Sequence, residues 1–228
     1  MIERKNEFYL GLGLMIGFVV VLVFFFMPIF GGKNGLDYLD NLYNSISKGS
    51  AYYIPGMKKD VEKFANNTVT VNLQMTGEEQ ASQTALLFKA GGATVQTKGQ
   101  NLTVTGDLAK ILGNALVDAD AMYWNKGQDL TSRYGYRERK ALYNWWKGME
   151  EMQKSLNKDK LFKEAKLVSL VQKKAVETAY NYYTIEPQKI GERWGTVVFS
   201  LLFYVVYTLW YGFSILFMFE GWGLRLGH

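Results

Sequence analysis

The sequence predicts a membrane protein: two transmembrane α-helices, one at each end, flank an extramembrane α+β domain with a small, mainly antiparallel sheet and a helical C-terminal half. Three observations lead there. An uncharged apolar run extends from Phe8 to Phe30 (FYLGLGLMIGFVVVLVFFFMPIF). A second, from Trp194 to Phe219 (WGTVVFSLLFYVVYTLWYGFSILFMF), is equally free of charge. The segment between them is polar, which is why the mean hydropathy of the whole chain, −0.10, conceals both ends. A helix needs about 20 apolar residues to cross a hydrocarbon core about 30 Å thick, and both runs reach that length.

The first run exceeds the roughly 7–15-residue apolar core of a secretory signal peptide. Pro28-Ile29-Phe30-Gly31-Gly32-Lys33 follows it, with no small-residue cleavage site. It therefore reads as an uncleaved signal-anchor, with residues 1–31 as tail and first helix. Arg4 and Lys5 precede it, and Arg225 follows the second run. Basic residues favour the cytoplasmic side, whereas long domains translocate largely regardless of charge. This outweighs Lys33, Lys189 and Arg193 on the opposite flanks. The expected location is the plasma (inner) membrane, with both termini cytoplasmic and the main domain extracytoplasmic, or periplasmic in a Gram-negative cell. Phe8 and Tyr9 at one helix end, and Trp194 and Trp222 around the other helix, fit the aromatic belts of an interface.

Within the first run Gly13 and Gly17 form a small-xxx-small pair, with Gly11 close by, of the kind that lets helix backbones approach. In the second run Tyr204, Tyr207, Thr208 and Tyr211 recur at i, i+3, i+4 and i+7 and share one face. Hydroxyls in hydrocarbon need partners. The two sets are the candidate helix–helix contacts. Neither run holds a charged residue, and ion or proton pathways usually place one there. A stand-alone two-helix transporter is not expected.

In the polar middle, Gly31, Gly32, Asn34 and Gly35 form a flexible exit from the membrane. Leu36, Leu39, Leu42, Tyr43 and Ile46 carry helical spacing over Asp37–Ile46. Ile54-Pro55-Gly56 reads as a turn, and Met57–Ala65 as a short helix. Thr68–Leu73 alternates as a strand. Thr76 with Glu79 three residues on reads as a capping box for a helix over Gly77–Lys89 that buries Ala81, Ala85, Leu86 and Phe88. Gly91-Gly92 stops that helix. The Lys89–Gly92 turn lacks the GxxxxGK[ST] pattern, so it reads as a helix C-cap rather than a phosphate loop. Ala93–Thr97 and Asn101–Thr105 form a hairpin, and Asp107 or the residue before it starts a helix running to about Trp124. The resulting order, β-α-β-β-α, has a loose likeness to ferredoxin-like folds and bounds an α+β part at residues 32–125.

Residues 126–192 are the helical part of the same domain. Tyr136–Tyr183 is helical in pattern, broken at Asn157-Lys158-Asp159, and the two halves are expected to form an antiparallel pair over the sheet. Thr184-Ile185-Glu186-Pro187 ends it, and residues 193–228 form the second transmembrane helix and its tail. Tyr143, Trp145 and Trp146 cluster on the first of these helices. The three read either as core with a packed surface or, since Trp and Tyr beside Arg are enriched at binding hot spots, as the candidate partner-binding surface.

Composition excludes much chemistry. There is no cysteine, hence no disulfide, thiolate metal site or Cys-ligated cluster. The only histidine is His228, which cannot by itself make a zinc or bis-His haem site. The net charge of +5 is spread among mixed acids and bases, which reads as a solvated surface, and no nucleic-acid partner is expected. Asp118 and Asp120 are two apart on a helix and do not share a face, and adjacent Glu150 and Glu151 diverge as well. No catalytic residue, cofactor site or metal site emerges. Asn66-Asn67-Thr68 and Asn101-Leu102-Thr103 match glycosylation sequons, which recur by chance.

The expectation is thus a non-catalytic, membrane-anchored accessory or assembly subunit of a larger membrane protein complex, whose extracytoplasmic domain makes protein–protein contacts. Its partners would be other membrane protein subunits and the lipid bilayer, and a homo-oligomer is also compatible. The alternative is an extracytoplasmic sensor or solute-binding module signalling through a partner.

Overall fold

A computed structural model describes residues 2–224; Arg225 and His228, both used in the sequence reading, lie outside the described residues. The elements are α1 (Lys5–Phe26), α2 (Gly35–Ser50), α3 (Ile54–Glu62), β1 (Thr68–Gln74), α4 (Glu78–Ala90), β2 (Thr94–Lys98), β3 (Asn101–Asp107), α5 (Leu108–Tyr123), α6 (Gly127–Tyr134), α7 (Glu138–Lys158), α8 (Phe162–Val171), a π-helical turn (Gln172–Glu177), α9 (Thr178–Asn181) and α10 (Ile190–Gly221). The protein is rich in helix, with one small sheet and a long apolar helix at each end. Two compact units result: the chain ends, up to Ile46 and from Gln188, and the segment Ser47–Pro187.

In the first unit α1 and α10 pack against each other. They run antiparallel: Phe8 meets Trp222, Phe18 meets Tyr207 and Tyr211, and Phe25 meets Phe203. At 1.5 Å per residue they are about 33 and 48 Å long. Both are long and apolar enough to cross a membrane. The first ends at Phe26, four residues before the apolar run does. Met27 precedes Pro28, and a residue before proline is pushed out of the helical region; Met27 is extended (φ −74°, ψ 148°). The second starts at Ile190, four residues before the apolar run, after Lys189 as an extended N-cap.

The glycine exit is a compact turn. Gly31 and Gly32 both have positive φ (63° and 82°), and the backbones of Phe30 and Lys33 exchange N–H···O bonds across them. Positive φ at both central positions is the geometry of a type I′ turn, which glycine adopts without a Cβ penalty. Asn34 then caps α2, its Oδ1 accepting from the Asp37 N–H at 2.8 Å.

In the second unit the sheet order is β1-β3-β2, and β3 is antiparallel to both neighbours. The parallel strands β1 and β2 are joined through α4, which is a split β-α-β unit. Each buried strand residue (Val69, Val71 and Leu73; Leu102 and Val104) alternates with an exposed or half-buried one, and the inner face lies on α4, α5 and α7. Ser155 on α7 accepts from the Asn72 N–H of edge strand β1, so α7 covers part of that edge. One continuous core runs from Ile54 to Ala179.

Four local expectations are corrected. The capping box does not form: Gly77 is the N-cap of α4, Gln80 Oε1 accepts from the Thr76 N–H, and Glu79 is drawn to Lys140. Leu86 is 44% exposed; its place in the core is taken by Leu87. Ile54-Pro55-Gly56 is the first turn of α3, with Pro55 at its start, rather than a turn ahead of a helix; α6, ended by Gly135 in the left-handed region, falls in the part expected to be helical. The second half of the helical part is interrupted by the π-helical turn. The C-cap reading of Gly91-Gly92 agrees with the structure, since Gly92 has φ 79° and its N–H donates to the Lys89 carbonyl.

Candidate functional site

Three groups of residues have the ingredients of a site: the faces of the helix pair, an aromatic groove on the second unit, and two buried polar centres.

On the helix pair, the closest approach falls at Gly11 and Gly221. A Cβ on Gly11 would lie 2.7 Å from the Ser214 carbonyl oxygen and the Met218 nitrogen, and one on Gly221 would run into Phe8. A Cβ on Gly17 would lie 3.1 Å from the indole of Trp210, whereas one on Gly13 would meet nothing within 4 Å. Trp210 Nε1 donates to the Leu14 carbonyl at 3.0 Å. Tyr207 stacks on Phe18, and Tyr211 lies tilted against it. The hydroxyls of Thr208 and Ser214 bond back to the carbonyls of Tyr204 and Trp210, as hydroxyls in helices do when no other acceptor is near. Tyr204, at 65% exposure, lies on an uncovered flank of α10 with Thr208. The predicted contact residues thus divide. Gly17, Tyr207 and Tyr211 touch the other helix; Gly13, Tyr204 and Thr208 face outward from it.

On the second unit, the three-aromatic surface must be redrawn. Trp145 is fully buried, packed against Phe88 with its indole donating to Asp118 at 2.8 Å. It belongs to the stripe Leu142, Trp145, Met149, Met152, Leu156, whose 3–4 spacing marks the core face of α7. Trp146 lies one residue, or about 100°, further round that helix. It stacks on Tyr143 (6.2 Å, 18°), and the two line a groove of about 300 Å³ with Glu177, Tyr180 and Asn181. The Trp146 indole donates to Glu177 Oε2 at 3.3 Å, Lys147 lies over its ring, and Arg139 lies over Tyr180 and Tyr183.

The π-helical turn shapes this groove. Gln172, buried within it, donates to the Trp146 carbonyl at 2.8 Å and accepts from Gln153 at 2.7 Å. The wider turn puts Glu177 opposite Trp146. Such bulges occur often at functional sites. No local spacing in QKKAVE distinguishes a π-turn from an α-turn, so only the packed structure reveals it.

The first buried polar centre is Asp118. Its Oδ1 accepts from Arg133 at 2.7 Å, and its Oδ2 from Tyr134 at 2.6 Å and Trp145 at 2.8 Å. Burial pushes its carboxyl up, while the Tyr134 and Trp145 hydrogen bonds and the Arg133 charge pull it back. Tyr134 is in turn pushed up to about 12 by burial and by the bond to Asp118. A carboxylate with both oxygens occupied and no exposure is a structural acceptor, with no room for a substrate proton. Asp120 turns away to Tyr52 and Lys58.

The second is Lys48, fully buried, whose ammonium donates to the Ile185 carbonyl and to Asn125 Oδ1 and lies 5.0 Å from the Tyr123 ring centroid. Burial pushes its pKa down, against the attraction of Glu186. Asn125, at φ 58°, also accepts from the Thr184 N–H and donates to Ile185 and Glu186. The segments entering and leaving the second unit are thus clasped to one loop. Among the described residues no group of three or more His, Cys, Asp or Glu side chains is placed to hold a metal ion.

Comparison with family models, with curated proteins and with solved structures found no match.

Proposed function

We propose that this chain is a non-catalytic, membrane-anchored accessory or assembly subunit of a larger membrane protein complex. In this reading α1 and α10 cross the inner membrane as an antiparallel pair, both termini are cytoplasmic, and Ser47–Pro187 is extracytoplasmic. The observation that carries it is the uncovered flank of α10, where the Tyr204 side chain stands 65% exposed in a helix otherwise rich in Phe, Leu and Val. A phenol in hydrocarbon gains from a protein partner. The Tyr143–Trp146 groove supports a second, outer contact with the partner, since paired aromatics beside basic residues suit a hot spot.

The test is a pull-down of the tagged full-length protein from its native membrane in mild detergent, with mass spectrometry of what is retained. Stoichiometric partners, lost on Tyr204→Leu or on Tyr143→Ala with Trp146→Ala, are the expected result. A lone monomer would overturn the reading.

The groove favours one alternative, an extracytoplasmic solute-binding module signalling through a partner. Its volume of about 300 Å³, its aromatic walls and its Glu177 carboxylate suit a small cationic or aromatic solute. Thermal-shift screening of the full-length protein separates the two readings: a shift abolished by Trp146→Ala favours the module.

A further inference from the structure

Two cavities in the first unit adjoin, and they differ sharply in chemistry. The larger, about 420 Å³, is walled by Phe24, Phe25, Ile29, Phe199 and Phe203 and is almost wholly apolar. The smaller, about 270 Å³, presents Lys33, Arg193, Asn41, Ser45 and Gln188. Phe30 and Tyr38 line both, so the two share a wall. They lie where α1 gives way to the Gly31–Gly32 turn and where α10 begins. In a helix that crosses a membrane this is the level of the headgroups.

The polar cavity is built, and its charge has one sign. The type I′ turn holds Lys33 against Phe30. Gln188 is fixed by its N–H donating to the Ser45 carbonyl, and its Oε1 accepts from Arg193 Nε at 3.0 Å, which orients the guanidinium. No acidic side chain lines this cavity, and among the described residues neither Lys33 nor Arg193 is ion-paired. Two cations converge on a space with amide and hydroxyl groups at its walls, directly beside an apolar chamber.

We infer that this compound cavity binds one anionic phospholipid, its acyl chain in the aromatic chamber and its phosphate between Lys33 and Arg193. Lysine meets phosphate as a point charge and arginine through its planar fork. Asn41, Ser45 and Gln188 suit the hydroxyls of a glycerol headgroup. The inference rests on the membrane reading above, and its test keeps the two separable.

The experiment is native mass spectrometry of the full-length protein in mild detergent with equimolar phosphatidylglycerol and phosphatidylcholine of identical acyl chains. The wild type is expected to retain one phosphatidylglycerol about thirtyfold over phosphatidylcholine, the size of effect two basic residues produce. Lys33→Gln with Arg193→Gln is expected to bring the ratio near one, while Lys33→Arg with Arg193→Lys keeps the preference and reports on folding. Thr196→Phe, which fills the apolar chamber, should lower retention of both lipids. Equal retention of the two lipids by the wild type, or an undiminished preference in the Gln variant, would overturn the inference. So would full displacement of the lipid by inorganic phosphate, which would mark a site for the free anion. Alkaline carbonate extraction of native membranes tests the membrane reading alone. Protein released by carbonate sinks both, whereas protein that stays but shows no lipid preference sinks only the lipid site.

Discussion

Trp145 Nε1 donates to the Asp118 carboxylate at 2.8 Å, with both side chains fully buried. The bond joins α5 to α7 across the core, and Tyr134 and Arg133 of α6 close the remaining positions on the carboxylate. Removing one member of a buried, charged network leaves the others unpaired. Asp118→Ala is therefore expected to cost about 3–5 kcal/mol. Trp145→Phe keeps most of the packing and loses one charge-assisted bond, at about 2 kcal/mol. Urea denaturation of the full-length protein in mild detergent, followed by circular dichroism, checks the order. A smaller loss for Asp118→Ala than for Trp145→Phe would contradict this account of the network.

The helix pair makes a contrast between two neighbouring glycines. A methyl at Gly11 collides with the backbone of Ser214 and Met218. A methyl at Gly13 meets nothing within 4 Å. Gly11→Ala should force the helices apart and lower the melting temperature in detergent. Gly13→Ala should leave it unchanged or raise it slightly, since Ala is favoured over Gly by roughly 1 kcal/mol in a helix interior. Equal effects of the two variants would show that the packing at Gly11 does not govern the pair.

Asp107 caps α5, its Oδ1 accepting from the Ala109 N–H at 2.8 Å and the Lys110 N–H at 3.2 Å. Its Oδ2 accepts from the Asn66 N–H at 2.7 Å. Burial pushes the carboxyl up, but the backbone donors of Lys110, Asn66 and Ala109 and the Lys110 charge outweigh it and hold the group below the usual range. A carboxyl depressed in the folded state contributes stability that is present above its unfolded-state value of about 3.9 and lost as pH falls through the folded value. Asp107→Ala should cost about 1 kcal/mol at neutral pH and flatten part of the acid limb of the stability profile. A variant whose acid limb matches the wild type would refute the assignment.

Asn125 is the hub of the clasp, and Lys48 is its expendable member. Without Lys48, Asn125 Oδ1 still accepts from the Thr184 N–H, and the Ile185 carbonyl still accepts from Asn125 Nδ2. Lys48→Met is expected to cost under about 1 kcal/mol, because it also relieves the burial of a charge. Asn125→Ala loses all these bonds and leaves the ammonium buried, at about 2–3 kcal/mol. The burial-lowered pKa of Lys48 has a sign of its own. The unfolded chain holds the proton more tightly, so wild-type stability rises as pH climbs from the folded value toward the unfolded one near 10.4. Lys48→Met should abolish that alkaline rise, which melting curves across the alkaline range would show.

How much was legible beforehand depends on the range of the interaction involved. The two end helices, the strand Thr68–Leu73, the hairpin at Gly99-Gln100 and a helix start at or just before Asp107 follow from runs, alternation and caps, which are local. Each is decided within a few residues by hydropathy or by backbone preference, and the chain carries that information openly.

What only the tertiary structure decided was assigned by contact between distant segments. The 3–4 stripe on α7 was present in the sequence, yet Trp145 and Trp146 are adjacent and equally aromatic. Only the packing of α4 and α5 made the first a core residue bonded to Asp118 and the second a groove residue bonded to Glu177. Gly11 rather than Gly13 took the close approach because Ser214 and Met218, some 200 residues on, came to face it. The π-turn arose where Gln172 found the Trp146 carbonyl and Gln153. Lys33 and Arg193, far apart in the chain and unremarkable in it, came to line one cavity only when the antiparallel helix pair closed. Local pattern determined which elements form. Which side of each element meets what was settled by the burial of apolar surface and the satisfaction of buried polar groups, and those are properties of the assembled chain.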